Sequence, residues 1–400
     1  MAKYLFLLGS YYPKPSANGI CVQNICDSLI EQGHEVYIIC ENESDKNENV
    51  IQNNCNIYMT KPRVVKLIKY KQPMFSQLNS FLHFLTWPVT SNRVVYNFYK
   101  NAIEIIDKYN IENLICVCNP FETIVVGDKI KKNKKNINVY FYFLDAFFFG
   151  KKPKWMTKDT YDLKTQKYAL DVFNCADKII FMKNHSIPQT IQKKYGKKII
   201  FLDIPLFKDN MWNADSNMNK VPVFLYLGNF VTGLREPDFL FEILWGLFKA
   251  GFKFKAYFYG NLYGMKIPSF AKEMKDLGII YVESNISHAE ALNKMEKADI
   301  LINVESNNSN FIPSKIFEYI STGKTILNVT DSNNEVSLNY LKKYKRFLSF
   351  SKSEPVDFYE AASNIEDMIL IKNSSEFSEI KEVFRDNTPD MFINAILKGY

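Results

Sequence analysis

Short, almost uninterrupted apolar runs recur along the chain, each followed by a polar loop and then by a stretch with helical spacing. Residues 3–9, 35–40, 114–118 and 139–144 read as buried parallel strands, with helices at 20–32, 93–109 and 122–132 between them. Residues 175–205 add a strand, a helix and a strand. The alternation restarts with strands at 221–228, 253–260, 279–282 and 298–305 and helices at 236–250 and 287–298. Ser287 followed three positions later by Glu290 has the spacing of a capping box. Alternating strands and helices in both halves predict an α/β chain of two Rossmann-like domains.

Residues 311–327, FIPSKIFEYISTGKTIL, hold several binding devices in one strand-loop-helix turn. Pro313 and Ser314 read as a helix start, with Ser314 as N-cap, and Gly323 as the left-handed residue that stops it. The first turn of such a helix offers free N–H groups and a partial positive charge, which suit a diphosphate. Glu318, about one turn in, is then placed to accept ribose hydroxyls. The plainer alternative is a common α/β turn with a glutamate that complements the helix dipole.

A second candidate crevice lies near the N-terminus. Ser16, Asn18 and Gly19 sit in a proline-rich loop just ahead of the first helix, at the carboxyl end of the first strand, where α/β sheets bind ligands. The loop is not GxGxxG, so no dinucleotide is indicated. Asp145, just past the strand at 139–144, points to the same crevice or simply forms a turn.

Composition narrows the picture. With 400 residues, two domains are expected, at 1–208 and 209–384, with 385–400 a C-terminal helix packing back on the first and 209–220 a polar linker. Net charge is +7, and the lysine clusters at 61–71, 129–135 and 151–154 face anionic headgroups, a phosphorylated substrate, or only solvent. The basic residues form no recognition helix and no aromatic-interleaved repeat, which excludes nucleic acid. Seven scattered cysteines read as reduced, buried thiols of a cytoplasmic protein. Four histidines, no CxxC and no Asp-x-Asp argue against a metal. The apolar core of the N-terminus is too short for a signal peptide, and no run of 18 apolar residues exists. The polar stretch 41–56 reads as a surface excursion. Residues 64–89 have helical spacing and read either as a core-covering helix or as an acceptor- or membrane-facing one.

The opening YLFLLGSYYPKPSANGI, followed by LIEQGHEVYIIC, resembles GT-B glycosyltransferases, glycosyltransferase family 4 in particular. The Gly33-His34-Glu35-Val36 strand entry is structural in that family, so His34 is not read as catalytic. CADKIIFMKNHSIPQTIQKKYGKKIIFLDIP resembles the segment that closes the family's first domain. YLGNFVTGLREPDFLFEIL resembles its first strand and basic loop in the second domain, and IPSKIFEYISTGKTIL its sugar-nucleotide motif in the P-S-K form of polysaccharide-assembly enzymes.

The resemblance implies a GT-B fold, two Rossmann-like domains with parallel sheets facing a central cleft. It implies transfer of a sugar, with retention, from a UDP- or GDP-sugar to a glycan or lipid-linked acceptor in surface polysaccharide biosynthesis. The setting would be cytoplasmic, with peripheral contact to the inner face of an anionic membrane, and no metal or cofactor beyond the nucleotide-sugar co-substrate. The donor residues are then Gly19, Gly228, Asn229, Arg235, Asn310, Ser314, Lys315, Ile316 and Glu318, and the catalytic ones Arg235, Lys315 and Asp145. Arg235 offers a planar fork to the diphosphate oxygens, and fixed cations can stabilise a departing diphosphate without a metal. The chain departs from the family twice. Leu240 stands where a second basic residue is frequent, and Asn310 stands where the first of two glutamates is frequent, with Glu305 as a substitute from the strand end. These departures motivate a second reading, a catalytically inactive glycosyltransferase-like subunit that binds a partner enzyme. A nucleotide-sugar 2-epimerase on the same fold is disfavoured by the scarcity of histidine.

Overall fold

The apolar runs become the buried strands of two separate sheets. The computed structural model describes residues 1–13, 15–42, 48–60, 84–149, 152–153, 155–207, 219–233, 235–262, 267–305, 315–330, 336–370 and 376–397. It divides into two compact units, Met1–Leu206 with Asp386–Tyr400, and Phe207–Arg385.

In the first unit the elements are β1 (Lys3–Leu7), α1 (Ala17–Glu31), β2 (Glu35–Glu41), β3 (Glu48–Gln52), β4 (Cys55–Thr60), α2 (Asn92–Tyr109), β5 (Asn113–Val117), α3 (Glu122–Asn133), β6 (Asn138–Phe143), α4 (Lys158–Val172), β7 (Lys178–Met182), α5 (Gln189–Tyr195) and β8 (Ile199–Leu202). The sheet order is β3-β4-β2-β1-β5-β6-β7-β8, and β3 pairs antiparallel with β4. Beyond their first residues β1, β5 and β6 are apolar because both faces are covered: Leu5 and Leu7 enter one core, Tyr4 and Phe6 the other. The order reverses between β1 and β5, which puts a ligand crevice beyond the carboxyl ends of those two strands.

Three local expectations change. The first helix begins at Ala17, not at residue 20, because the Ser16 side chain accepts the Gly19 N–H at 3.2 Å and caps it there. The polar stretch 41–56 is no mere excursion: it holds β3 and the start of β4, joined by Asn53 and Asn54 at φ 48° and 60°, a primed hairpin turn. Its signal is the alternation of buried Cys55, Ile57 and Met59, too short to stand out among polar neighbours. Helix α4 buries only Tyr161, Thr165, Ala169 and Val172, a stripe too narrow and too polar to announce itself. The helix read at 64–89 lies outside the described residues up to position 83.

The second unit contains β9 (Val223–Leu227), α6 (Asp238–Lys249), β10 (Lys255–Tyr259), α7 (Ser269–Asp276), β11 (Ile280–Glu283), α8 (His288–Lys297), β12 (Ile300–Val304), α9 (Lys315–Ser321), β13 (Thr325–Thr330), α10 (Val336–Tyr344), β14 (Phe347–Ser351), α11 (Phe358–Leu370) and α12 (Glu376–Val383). Its six strands are all parallel in the order β11-β10-β9-β12-β13-β14, so the switch point falls between β9 and β12. Ser287 and Glu290 form the expected reciprocal capping box, and Gly323 at φ 71° ends α9. The last helix, α13 (Pro389–Leu397), belongs to the first unit. It lays Phe392, Ile393 and Ile396 on the core behind β1, while Asp390 accepts from Ser28 at 2.9 Å and Gln32 at 3.0 Å.

Candidate functional site

At the switch point of the second unit, β9 ends at Leu227 and the chain turns through Gly228 at φ 155°, a value that favours glycine. Gly228 and Gly260 are backbone neighbours. A Cβ on Gly260 would lie 1.8 Å from the Gly228 carbonyl oxygen, so both strand ends approach more closely than side chains permit. The Asn229 side-chain oxygen accepts the Asn261 N–H at 2.9 Å, which fixes the turn and occupies that oxygen.

The loop then folds back on itself. Val231 and Arg235 exchange backbone hydrogen bonds of 2.9 and 2.8 Å, so Arg235 returns toward the strand end. Its guanidinium acts on the phenol of Tyr226, which stacks on Phe230 at 4.4 Å. Burial pushes the Tyr226 hydroxyl up to about 12, and the Arg235 charge opposes that rise. Arg235 Nε is buried without a hydrogen-bond partner among the described residues, and the buried Tyr226 hydroxyl has the Arg235 guanidinium beside it. Such groups cost free energy until something accepts from them.

Lys315, the first residue of α9, reaches the same strand end and donates to the Leu227 carbonyl at 2.5 Å. Burial lowers its pKa and so does the charge of Arg235, while Glu318 one turn along α9 opposes both. Two cations therefore lie near enough to repel each other. Across the switch point, Glu305 follows β12 and is buried, with its pKa raised by burial and held back by Ser337, Asn303 and Arg235. Behind it, Asn303 donates to Asn328 at 2.6 Å and Asn328 to Ser349 at 3.0 Å, a polar row across three paired strands. This row was not legible in the sequence, nor was Tyr226; only strand register aligns them.

The second unit thus brings Gly228, Asn229, Arg235, Lys315 and Glu318 to one strand end. Ile316 is fully buried, which leaves only its backbone for a ligand. Asn310 and Ser314 lie outside the described residues.

Gly19 and Asp145 belong to the first unit. Gly19 lies inside the first turn of α1, where a Cβ would stand 2.5 Å from the Ser10 carbonyl oxygen; this close packing accounts for the glycine. Asp145 is exposed just beyond β6, and its Oδ2 accepts from Asn18 at 2.7 Å and from Asn119 at 3.2 Å. Asn119, past the end of β5, and His185, past the end of β7, carry no motif that singles them out in the sequence.

No protein-family model matches the chain, and no curated protein matches it by sequence. Solved structures do match over its whole length. HepE of Anabaena, in complex with UDP and glucose, aligns at TM-score 0.55 with 14% identity, covering 100% of both chains. A glycosyltransferase of Rickettsia africae aligns at 0.55 with 14% identity over 99% of this chain and 97% of that one. The catalytic domain of starch synthase IV of Arabidopsis thaliana, bound to ADP and acarbose, aligns at 0.53 with 10% identity over 96% of this chain and 99% of that one. The fold is GT-B. Each GT-B unit of this chain has its polar cluster beyond the carboxyl ends of its strands, as the switch-point rule requires.

Proposed function

We propose that the protein is a glycosyltransferase that moves a sugar from a nucleotide sugar to a hydroxyl of a glycan or lipid-linked glycan, and that the β9–α9 corner binds the nucleotide diphosphate. The observation that carries this reading is the meeting of Arg235 and Lys315 at the end of β9, two cations that repel each other, with the buried Arg235 Nε unpaired among the described residues. A diphosphate relieves the repulsion and accepts from Arg235 Nε and the Tyr226 hydroxyl. As the anomeric carbon–oxygen bond breaks, negative charge grows on that diphosphate, and cations already in place stabilise it. Glu318 accepts from the ribose hydroxyls. The nucleoside diphosphates in the HepE and starch synthase structures support the same ligand class, and UDP or GDP is the proposed nucleotide.

In the retaining scheme that we favour, the acceptor hydroxyl attacks the face that the diphosphate leaves, and the departing phosphate oxygen takes its proton. Neither a protein nucleophile nor a metal is required. Among the described residues no helix is long and apolar enough to cross a membrane. Contact of surface lysines with the anionic headgroups around a lipid-linked acceptor is part of the proposal. Assembly of surface polysaccharide is the proposed setting.

A thermal-shift panel of UDP-, GDP- and ADP-sugars tests the reading. A donor should raise the melting temperature of the wild type and leave Arg235→Ala unmoved; no response to any of them would count strongly against it. One observation favours a second reading, a non-catalytic glycosyltransferase-like subunit: Leu240 is fully buried in α6, so that position supplies no second cation. Donor turnover or hydrolysis by the pure protein, lost in Glu318→Ala with folding intact, excludes it.

A further inference from the structure

Glu305 follows β12 at the switch point of the second unit and is only 8% exposed, unusual burial for a carboxylate. Its neighbours on the sheet are neutral. Asn303 donates weakly to its Oε2 at 3.4 Å and more closely to Asn328 at 2.6 Å, and Asn328 donates in turn to Ser349 at 3.0 Å. From α10 comes Ser337, also neutral. The cation that acts on Glu305 is Arg235, from the loop after β9, and α9 adds Lys315 and Glu318, which act on each other. The corner therefore holds two cations and two carboxylates, one of the carboxylates buried.

We propose that Glu305 is the counter-charge of Arg235 in the free protein and takes a proton from solvent when a diphosphate replaces it there, so that donor binding is coupled to proton uptake at this residue. The step rests on the transferase reading, which supplies the diphosphate. A diphosphate on Arg235 cancels the charge that favours the Glu305 anion and stands as a like charge beside it, so both effects drive the carboxyl toward its neutral form. Burial, which disfavours the anion already in the free protein, works in the same direction, against Ser337, Asn303 and Arg235. The protonated acid keeps an acceptor oxygen for the Asn303 amide and gains an O–H donor. Asn303, Asn328 and Ser349 can serve either form without changing their own charge.

Calorimetry of UDP-glucose and GDP-mannose with the full chain, in buffers of different ionisation heat, counts the protons taken up. Both diphosphates are diesters and do not titrate near neutrality, so the count belongs to the protein. At about pH 6 the wild type should take up a sizeable fraction of a proton with at least one probe, and Glu305→Gln none. The wild-type affinity should rise severalfold from about pH 7.5 to about pH 5.5, within the roughly tenfold per pH unit that one linked proton allows, while that of Glu305→Gln stays flat. Near neutrality Glu305→Gln, which resembles the protonated acid, should bind at least as tightly as the wild type. Glu305→Met gives the same comparison where glutamine is not tolerated. Melts without nucleotide supply a second readout. The folded carboxyl holds its proton to higher pH than the unfolded one, so wild-type stability relative to Glu305→Gln should fall as pH rises from the ordinary carboxylate range. Binding by the wild type without proton uptake, an equal count in Glu305→Gln, or parallel melting profiles overturns the proposal and leaves the transferase reading standing; binding of neither probe overturns both.

Discussion

Lys315 donates its ammonium to the Leu227 carbonyl at 2.5 Å, which ties the first turn of α9 to the last residue of β9. The bond places a cation at the switch point while burial and Arg235 both disfavour its charge. Lys315→Met keeps the buried aliphatic stem and removes the charge. Its melting temperature should stay within a few degrees of the wild type, since exchanging a buried charge for an apolar group is often neutral. The affinity for UDP or GDP should fall roughly ten- to hundredfold, as expected for a lost charge-assisted contact. Titration calorimetry beside a melting curve checks both; equal nucleotide affinity in the two proteins would remove Lys315 from the site.

The same residue gives nucleotide binding a pH dependence. Its folded pKa lies below the ordinary 10.5, and a bound diphosphate raises it again. Between the depressed value and 10.5 the free protein has lost a proton that the complex retains, so affinity should fall as pH rises through that window. Stability moves the other way there, because the unfolded chain holds more protons and stability therefore rises with pH. Lys315→Arg keeps its charge throughout, so its affinity should stay flat where that of the wild type declines. Calorimetric titrations from neutral pH to about pH 10 decide this, the ordinary lysine range setting the upper end. Parallel curves for the two proteins would refute it.

Gly260→Ala should be costly for a reason unrelated to any ligand. The added Cβ would stand 1.8 Å from the Gly228 carbonyl oxygen, so two strand ends must part. A loss of roughly 2–4 kcal/mol is expected, together with the nucleotide response, because Gly228 moves with its neighbour. Gly251→Ala is the control. Gly251 has φ 89° but nothing within 4 Å of a Cβ, so that change should cost only about 1 kcal/mol and spare nucleotide binding. Denaturant melts of the two variants, with and without UDP, measure the difference.

These variants also show what a sequence can reveal of such a site. Arg235 and Lys315 were legible because each sits beside a loop or helix start that phosphate chemistry uses, and β1, β9 and β12 because their apolar runs have strand length. Tyr226 looked like one more aromatic in a strand; it becomes part of the corner only because a loop returns Arg235 to it. Asn303, Asn328 and Ser349 stand in three different strands, and nothing but register makes them one row. Gly19 has a packing role that its sequence position does not announce. Its place in a loop suggests ligand approach; the helix starts earlier, and the missing side chain also makes room for the Ser10 carbonyl.

Glu122 supports the first unit from beneath. One carboxylate oxygen accepts from the Thr90 N–H at 2.8 Å, the Thr90 hydroxyl at 2.9 Å and the Ser91 N–H at 2.8 Å, and the side chain is buried. Ser91 is itself the N-cap of α2, so one glutamate on α3 fixes the start of its neighbour. Glu122→Ala leaves these donors unmatched and should cost about 3 kcal/mol, whereas Glu122→Gln retains an acceptor oxygen and should cost less than half as much. Chemical denaturation ranks them. Equal losses would show that packing, not acceptance, is what Glu122 contributes.

Leu240 tests whether the family's second cation can be restored. The residue lies in α6 with no exposure, on the face where Phe241, Ile243, Leu244 and Leu247 also enter the core of the second unit. A lysine there would place its ammonium among these apolar side chains, buried without a partner. Leu240→Lys should therefore lose roughly 3–5 kcal/mol and gain neither nucleotide affinity nor turnover. If the variant kept its stability and bound UDP or GDP more tightly, α6 would have to rotate in solution, and the missing basic residue would be a true loss of function. A destabilised variant with no gain leaves Arg235 and Lys315 as the pair of cations through which this corner meets its diphosphate.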